Sequence, residues 1–335
     1  MNNSAFKQSN YYFDSSFSSL SAIVDKTQTI LITDKNIFEC HPKLFDGWKT
    51  IVIPAGEAHK QQATVDFIID ELIVHKADRN SFLVGVGGGV VTDITGYAAS
   101  IYMRGIKFGF VPTTILAMVD AAIGGKNGVD VGIYKNLVGC INQPKFLLFD
   151  FTLLQTLPQD QWVNGFAEII KHACIKDAEL FNLLEQECIE SFKKDTIKLA
   201  ALIEKNVQIK TSVVVNDEFE QGERKLLNFG HTLGHAIENS YQLPHGHAVS
   251  IGIMAACVIS ESISQLPAAD TQRIKTLIEQ YQLPTSFVYD KHKIWEVLQM
   301  DKKKAGNSIN FILLKKIGEA LVQPIAINEL ENLIH

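Results

Sequence analysis

Phe82-Leu83-Val84-Gly85-Val86-Gly87-Gly88-Gly89, running on into Val90-Val91-Thr92-Asp93-Ile94-Thr95-Gly96, decides the fold of the first half of this chain. Phe82 to Val86 is short, apolar and partly β-branched, as a buried strand is, and Val90 to Tyr102 has a helical pattern. The glycines between them let backbone N–H groups approach a phosphate, and the N-terminus of the following helix adds partial positive charge. A nucleotide pyrophosphate site fits this turn. So does a tight strand-to-helix connection that needs glycine only for close packing. The fingerprint G-x-G-x-x-G is not met: its last position is Val90 counted from Gly85 and Thr92 counted from Gly87.

Outward from this turn, short apolar runs alternate with helical patterns. Thr29 to Thr33, Thr50 to Ile53, Phe108 to Val111 and Phe146 to Phe149 read as further strands, and Gln61 to His75 as a helix. The alternation predicts βαβ units and a largely parallel sheet, an α/β Rossmann-like nucleotide-binding domain over residues 1–155. The first twenty residues have no clear period and are expected to form an edge or arm. After Pro158 the texture changes. Trp162 to Gln186, Asp195 to Val215, His231 to Tyr241, Ala248 to Ser264 and Asp270 to Tyr281 read as helices, so residues 156–335 are expected to form a mostly α-helical metal- and substrate-binding domain. Ile309 to Leu314 and Glu319 to Val322 suggest a small hairpin within it. A ligand is expected in the cleft between two such domains.

Composition narrows the partners. The 335 residues are 46% hydrophobic and 20% charged, which describes an ordinary globular chain and excludes disordered and fibrous classes. A net charge of −6 speaks against a nucleic-acid surface, so any anionic ligand must be held by local cations. The five cysteines are scattered without C-x-x-C spacing, which argues against a disulfide framework and a cysteine zinc site. The longest apolar run, Ala248 to Ile259, falls short of the roughly 20 residues that cross a bilayer. A cytoplasmic protein with no membrane partner is the expectation.

Two further patterns carry chemistry. Gly124-Gly125-Lys126-Asn127-Gly128, followed by Lys135-Asn136, is like a lysine-bearing phosphate loop but does not satisfy G-x-x-x-x-G-K-[ST]; a structural turn with a solvated lysine fits it equally. Four of the ten histidines, His231, His235, His245 and His247, fall within seventeen residues. His231 and His235 share one face of a helix, and spacing alone nominates that pair as metal ligands. Neutral imidazoles with one carboxylate make a catalytic zinc site with an open position for substrate. Glu168 is the best carboxylate, because it stands in Phe166-Ala167-Glu168-Ile169-Ile170, where an unpaired charge is costly. An internal ion pair to Lys171 is the competing role for it.

Taken together these segments resemble the 3-dehydroquinate synthase family of sugar phosphate cyclases, over nearly the whole chain. The resemblance runs through Pro54-Ala55-Gly56-Glu57-Ala58-His59-Lys60, Gly87 to Asp93, Tyr102-Met103-Arg104-Gly105, Pro112-Thr113-Thr114, Val119-Asp120, Gly124-Gly125-Lys126 and Lys135-Asn136. It continues through Phe166 to Lys171, Leu227-Asn228-Phe229-Gly230-His231-Thr232-Leu233-Gly234-His235-Ala236, His245-Gly246 and Asp301-Lys302-Lys303. The resemblance implies that Glu168, His231 and His245 bind zinc, or cobalt in its place, while His235 serves the substrate and its proton transfers. It implies an NAD site at Asp34, Glu57, Lys60, Gly88, Gly89, Val90, Val91, Thr92, Asp93, Thr113, Thr114, Lys126, Lys135, Leu153 and Thr156. Asp120, Lys126, Asn136, Lys171, Lys210, Arg224, Asn228, His235 and one of Lys302 or Lys303 would surround the substrate. The sequence departs from the family pattern at Asn127, Val129-Asp130 and His247.

The implied reaction converts 3-deoxy-D-arabino-heptulosonate 7-phosphate to 3-dehydroquinate and phosphate, a step of the shikimate pathway toward aromatic amino acids. NAD would transiently oxidise the C5 hydroxyl, phosphate would leave by elimination, the hydride would return, and an intramolecular aldol step would close the ring. Closure of the interdomain cleft and a homodimer are further expectations of the resemblance. Three other readings are open. Another sugar phosphate cyclase would act on a substrate without a carboxylate and would not need Arg224. A metal- and NAD-dependent polyol dehydrogenase would release NADH and would not need Lys126, Lys171, Lys210 and Arg224. A nucleotide-binding regulatory protein with a structural metal would not need the catalytic set at all.

Overall fold

The computed structural model describes residues 2–6, 9–13, 15–132, 134–302, 308–326 and 329–330. The chain divides into two compact units, one made of Met1–Gln161 with Thr196–Thr211 and the other of Trp162–Asp195 with Ser212–His335.

The first unit is built on a sheet whose strands are β1 (Asn2–Phe6), β2 (Ser9–Phe13), β3 (Thr29–Asp34), β4 (Lys49–Ile53), β5 (Phe82–Gly87) and β6 (Lys107–Pro112). A hairpin of β7 (Lys126–Val131) and β8 (Tyr134–Ile141) intervenes before β9 (Phe146–Leu148) returns to the sheet. The strand order is β1-β2-β9-β6-β5-β3-β4, antiparallel between β1 and β2 and parallel elsewhere. Its connecting helices are α1 (Leu20–Ile23), α2 (Lys35–Cys40), α3 (Gln62–Val74) and α4 (Gly89–Ile101). Leu31, Val84, Val86, Val111 and Leu148 meet Phe17, Leu20 and Phe45 in one buried cluster. From β3 the chain first moves outward to β4, then crosses to β5 and continues the other way to β6 and β9. That reversal is a topological switch point, and the carboxyl ends of β3 and β5 flank the crevice where ligands of open α/β sheets bind.

Each strand expected around the glycine turn is present within a residue of its expected ends. The β1–β2 pair forms the edge expected of the first residues, and the β7–β8 hairpin is an addition. Lys126 to Gly128 begins a strand, and the glycines of the hairpin serve close backbone contact. A Cβ on Gly128 would lie 2.5 Å from the Val138 carbonyl oxygen and one on Gly139 2.2 Å from that of Asn127. Asn127, one of the departures from the family pattern, is buried, and its amide donates to the carbonyls of Gly125 (2.8 Å) and Asn142 (2.9 Å).

The second unit contains α5 (Gln159–Lys176), α6 (Ala178–Glu185), α7 (Ile189–Lys194), the end of α8 (Thr196–Asn216), α9 (His231–Tyr241), α10 (His245–Ile263), α11 (Ala268–Gln280) and α12 (Lys291–Lys302). The antiparallel pair β10 (Ser308–Lys316) and β11 (Glu319–Ala326) is the expected hairpin, longer than its apolar runs. Trp162 to Gln186, expected as one helix, is two: the Asp177 side chain accepts from Leu180 N at 2.8 Å and caps α6. The apolar run at Ala248 belongs to a longer helix than its own length suggests, because α10 starts at His245. By length and mean hydropathy α10 could cross a bilayer, yet 67% of its most apolar window is buried within the fold.

Candidate active site

α5 is buried almost all round from Trp162 to Ile175, so Glu168 has no solvent to face and must be paired. Its Oε2 pairs with the Lys171 ammonium, itself only 1% exposed. Its Oε1 lies 3.2 Å from His245 Nε2 and 3.4 Å from His231 Nε2. The two roles weighed for Glu168 are therefore shared between its two oxygens. Burial opposes ionisation of Glu168, but Lys171 and His231 outweigh it and hold the carboxyl well below the usual range.

The far side of each ring determines what Glu168 meets. His231 Nδ1 is 3.0 Å from the Phe229 carbonyl oxygen, and His245 Nδ1 is 3.2 Å from Glu238 Oε2. Both partners only accept, so both Nδ1 atoms carry the proton. At His245 the Nε2 bonded to Glu168 Oε1 then carries a second proton, and a cation that displaced it would find both Nε2 lone pairs and that oxygen directed at one point. Burial works against charge on His245, while its hydrogen bonds to Glu168 and Glu238 push its pKa up to about 10. Glu168, His231 and His245 offer ligand atoms all within 4.8 Å of one another. Two imidazoles and one carboxylate suit zinc or cobalt.

Spacing alone had nominated His231 with His235. Their rings lie 4.9 Å apart and edge-on, but no group of ligand atoms that close joins the two among the described residues. His235 is exposed, with its ring 6.2 Å from that of His245. His247 sits two residues beyond His245, turned about 200° around α10, and is half-buried. Glu238 was not singled out from the sequence. Its spacing of three from His235 and seven from His231 places it on their helix face, which is the signal that could have found it.

Arg224 is buried, with Nη1 donating to the Glu218 carbonyl oxygen at 2.5 Å. The Asn228 amide donates to the Glu220 carboxylate. The side chain of Lys302, and Lys303 altogether, lie outside the described residues.

In the first unit, Gly88 caps α4 without a side chain, so the first turn of the helix presents its N–H groups unshielded. The turn is packed from within: a Cβ on Gly87 would fall 2.5 Å from Val91 Cγ2, and one on Gly88 3.2 Å from Thr114 Cγ2. Thr113 N donates to the Gly87 carbonyl oxygen at 2.9 Å, which sets Thr113 and Thr114 beside the turn. Bare N–H groups at a helix N-terminus fit a pyrophosphate. Asp34, at the carboxyl end of the neighbouring β3, accepts from Ile37 N at 3.1 Å, and burial raises its carboxyl pKa.

Lys60, 6% exposed, reaches Asp93 Oδ2 and Asn136 Oδ1, each at 2.5 Å. Burial opposes its charge, and Asp93 and Glu57 more than compensate, so its pKa is raised. Asn136 has φ of 52°, held by a bond from its N to Asp130 Oδ1 at 2.7 Å. Lys135 stands 3.6 Å from Glu57. Lys210 pairs with Asp120 at 2.7 Å, and Lys126 is exposed at the start of β7. Leu153 is buried in the short helix Phe151–Thr156, and Thr156 Oγ1 is 2.7 Å from His41 Nε2.

Residues 50–164 match the family model described as 3-dehydroquinate synthase N-terminal and residues 165–304 the one described as 3-dehydroquinate synthase C-terminal. The chain is 40% identical over 292 residues to a 3-dehydroquinate synthase from Campylobacter concisus, covering 86% of this chain and 82% of that one. It is 44% identical over 280 residues to the one from Picosynechococcus sp., covering 82% and 77%. Among solved structures it is similar to a 2-epi-5-epi-valiolone synthase from Streptomyces hygroscopicus with NAD+ and Zn2+ bound, at TM-score 0.89 and 27% identity, covering 100% and 98%. A probable glycerol dehydrogenase from Sinorhizobium meliloti shares the fold, at TM-score 0.62 and 16% identity, covering 98% and 96%.

Proposed function

The chain belongs to the 3-dehydroquinate synthase family, and on that premise we propose that it converts 3-deoxy-D-arabino-heptulosonate 7-phosphate to 3-dehydroquinate and inorganic phosphate, using NAD and a divalent zinc or cobalt ion. The observation that carries the reading is the convergence of His231 Nε2, His245 Nε2 and Glu168 Oε1, with both Nδ1 protons directed away. When bound, the cation supplies Lewis acidity to a substrate hydroxyl and its ketone, and NAD supplies a reversible hydride acceptor.

The chain's own residues do the rest. Glu168, His231 and His245 hold the metal, and Lys171 neutralises the charge of Glu168 that the two imidazoles leave uncompensated. The unshielded first turn of α4, with Asp34, Glu57, Lys60, Thr113, Thr114, Lys135, Leu153 and Thr156, holds the dinucleotide. Lys126, Asn136, Asn228, His235 and a lysine of the Lys302 pair hold the substrate phosphate and orient it for departure. Arg224 and Lys210 bind the substrate carboxylate, for which a planar guanidinium offers two parallel hydrogen bonds. Arg224 is already fixed through Glu218, and Lys210 through Asp120.

Incubation with the heptulosonate phosphate, NAD and zinc should release phosphate and dehydroquinate in equal amounts with no net NADH. Net NADH from simple polyols, with no phosphate released, would instead make the protein a dehydrogenase of the kind whose fold it shares. A homodimer and a cytoplasmic location are supported by the family resemblance; sedimentation at assay concentration tests the first.

A further inference from the structure

We propose that Glu238 is a positioning residue of the metal site: a buried carboxylate that fixes the tautomer and the aim of His245 without ligating the ion itself. The proposal rests on the assignment of Glu168, His231 and His245 as the ligands.

Glu238 is 4% exposed, on the last turn but one of α9, and its Oε2 lies 3.2 Å from His245 Nδ1 across the connection of residues 242–244 to α10. A carboxylate only accepts, so a proton of His245 is held on Nδ1, and when a cation displaces the proton on Nε2 it is the Nε2 lone pair, facing Glu168 Oε1, that becomes the ligand. His231 reaches the same state by a different partner, the Phe229 carbonyl oxygen. That carbonyl belongs to the backbone two residues before its own ring, whereas His245 stands at the first position of α10. Its orientation must come from another element, and Glu238 on α9 supplies it. The backbone N of the next residue, Gly246, is anchored separately by Asn164 Oδ1 on α5, so side chain and backbone at the start of α10 are each tied to a different helix. Glu238 is buried, and the His245 Nδ1 proton offsets part of the cost of burying its carboxylate.

A competing geometry exists, since His235, Glu238 and His245 also offer ligand atoms within 4.8 Å of one another. There Glu238 would bind the ion directly. The burial of Glu168 between His231, His245 and Lys171 favours the first arrangement.

The test uses the full-length protein loaded with Co2+, whose visible absorption reports ligand number and geometry. With affinity measured against a competing chelator, Glu238→Gln should bind Co2+ about ten- to a hundred-fold more weakly than the parent. It should keep the parent's ligand-field bands, and Glu238→Ala should be weaker still. Affinity for NAD should be unchanged in both. In the zinc-loaded parent, nitrogen-15 NMR of the imidazoles should show His245 protonated at Nδ1 and coordinated through Nε2. Parent-like Co2+ affinity in both variants overturns the proposal, as does a His245 that is bare at Nδ1, a measurement that does not depend on any variant folding. If instead Glu168→Gln keeps the metal, the ligand assignment beneath the proposal has failed, and the two failures are told apart.

Discussion

At the scale of single residues, Glu168 shows how one side chain carries two duties. Its Oε2 neutralises Lys171, and its Oε1 closes the histidine pair. Glu168→Ala would leave the Lys171 ammonium buried without its partner, at a cost of about 3–5 kcal/mol. The informative variant is therefore Glu168→Gln with Lys171→Met, which should fold yet bind no metal and turn over no substrate, as metal analysis and a phosphate-release assay will show. His235→Ala should keep a full equivalent of metal and lose roughly 10²–10⁴-fold in kcat/KM, the range of a missing proton-transfer group. Loss of the metal from His235→Ala would return His235 to the ligand set and refute the split. The sequence located both imidazoles, but their assignment came from family resemblance, because helical spacing brings side chains to one face without saying where their ring nitrogens point.

At the scale of elements, the site depends on how closely α9 and α10 approach. Gly230, with φ of 78°, precedes His231, and Gly252 of α10 lies against it: a Cβ on Gly252 would fall 1.9 Å from the Gly230 carbonyl oxygen. That oxygen belongs to backbone and cannot swing away. Gly252→Ala should therefore cost about 1–3 kcal/mol and weaken metal binding by displacing His231. Urea unfolding with and without zinc will measure both effects, and a parent-like stability would show that the helices can separate freely. Periodicity found α9 and the body of α10. It did not find the start of α10 at His245, because the polar Pro-His-Gly-His segment hides the first turn of an apolar helix. The β7–β8 hairpin was hidden for a related reason: its glycines permit strand contact, yet in sequence they read as a loop.

At the scale of the whole molecule, metal and fold should be linked. An ion bound only by the native state at a thousand times its dissociation constant adds about 4 kcal/mol of stability. Stripping the metal with a chelator should thus lower the Tm of the parent, with full recovery on adding zinc, while the Glu168→Gln, Lys171→Met protein should be indifferent to both treatments. A parent whose Tm ignores chelation would mean that the site binds weakly or not at all.

The sequence by itself determined the parallel α/β sheet around Phe82 to Gly89, the helical second half, and the stretches in which Glu168 and the four clustered histidines stand. Those features follow from local periodicity, from glycine at a strand-to-helix turn and from charged side chains set among apolar ones. Only the tertiary structure decided which oxygen of Glu168 faces the histidines, that Glu238 lies behind His245, that Lys60 joins Asp93 to Asn136, and that the lysine-bearing glycine run leads into a strand at Lys126. Each of these depends on the approach of segments tens of residues apart in the chain. Hydrogen-bond direction and the room left for a Cβ are properties of that approach, and no period in the sequence encodes them.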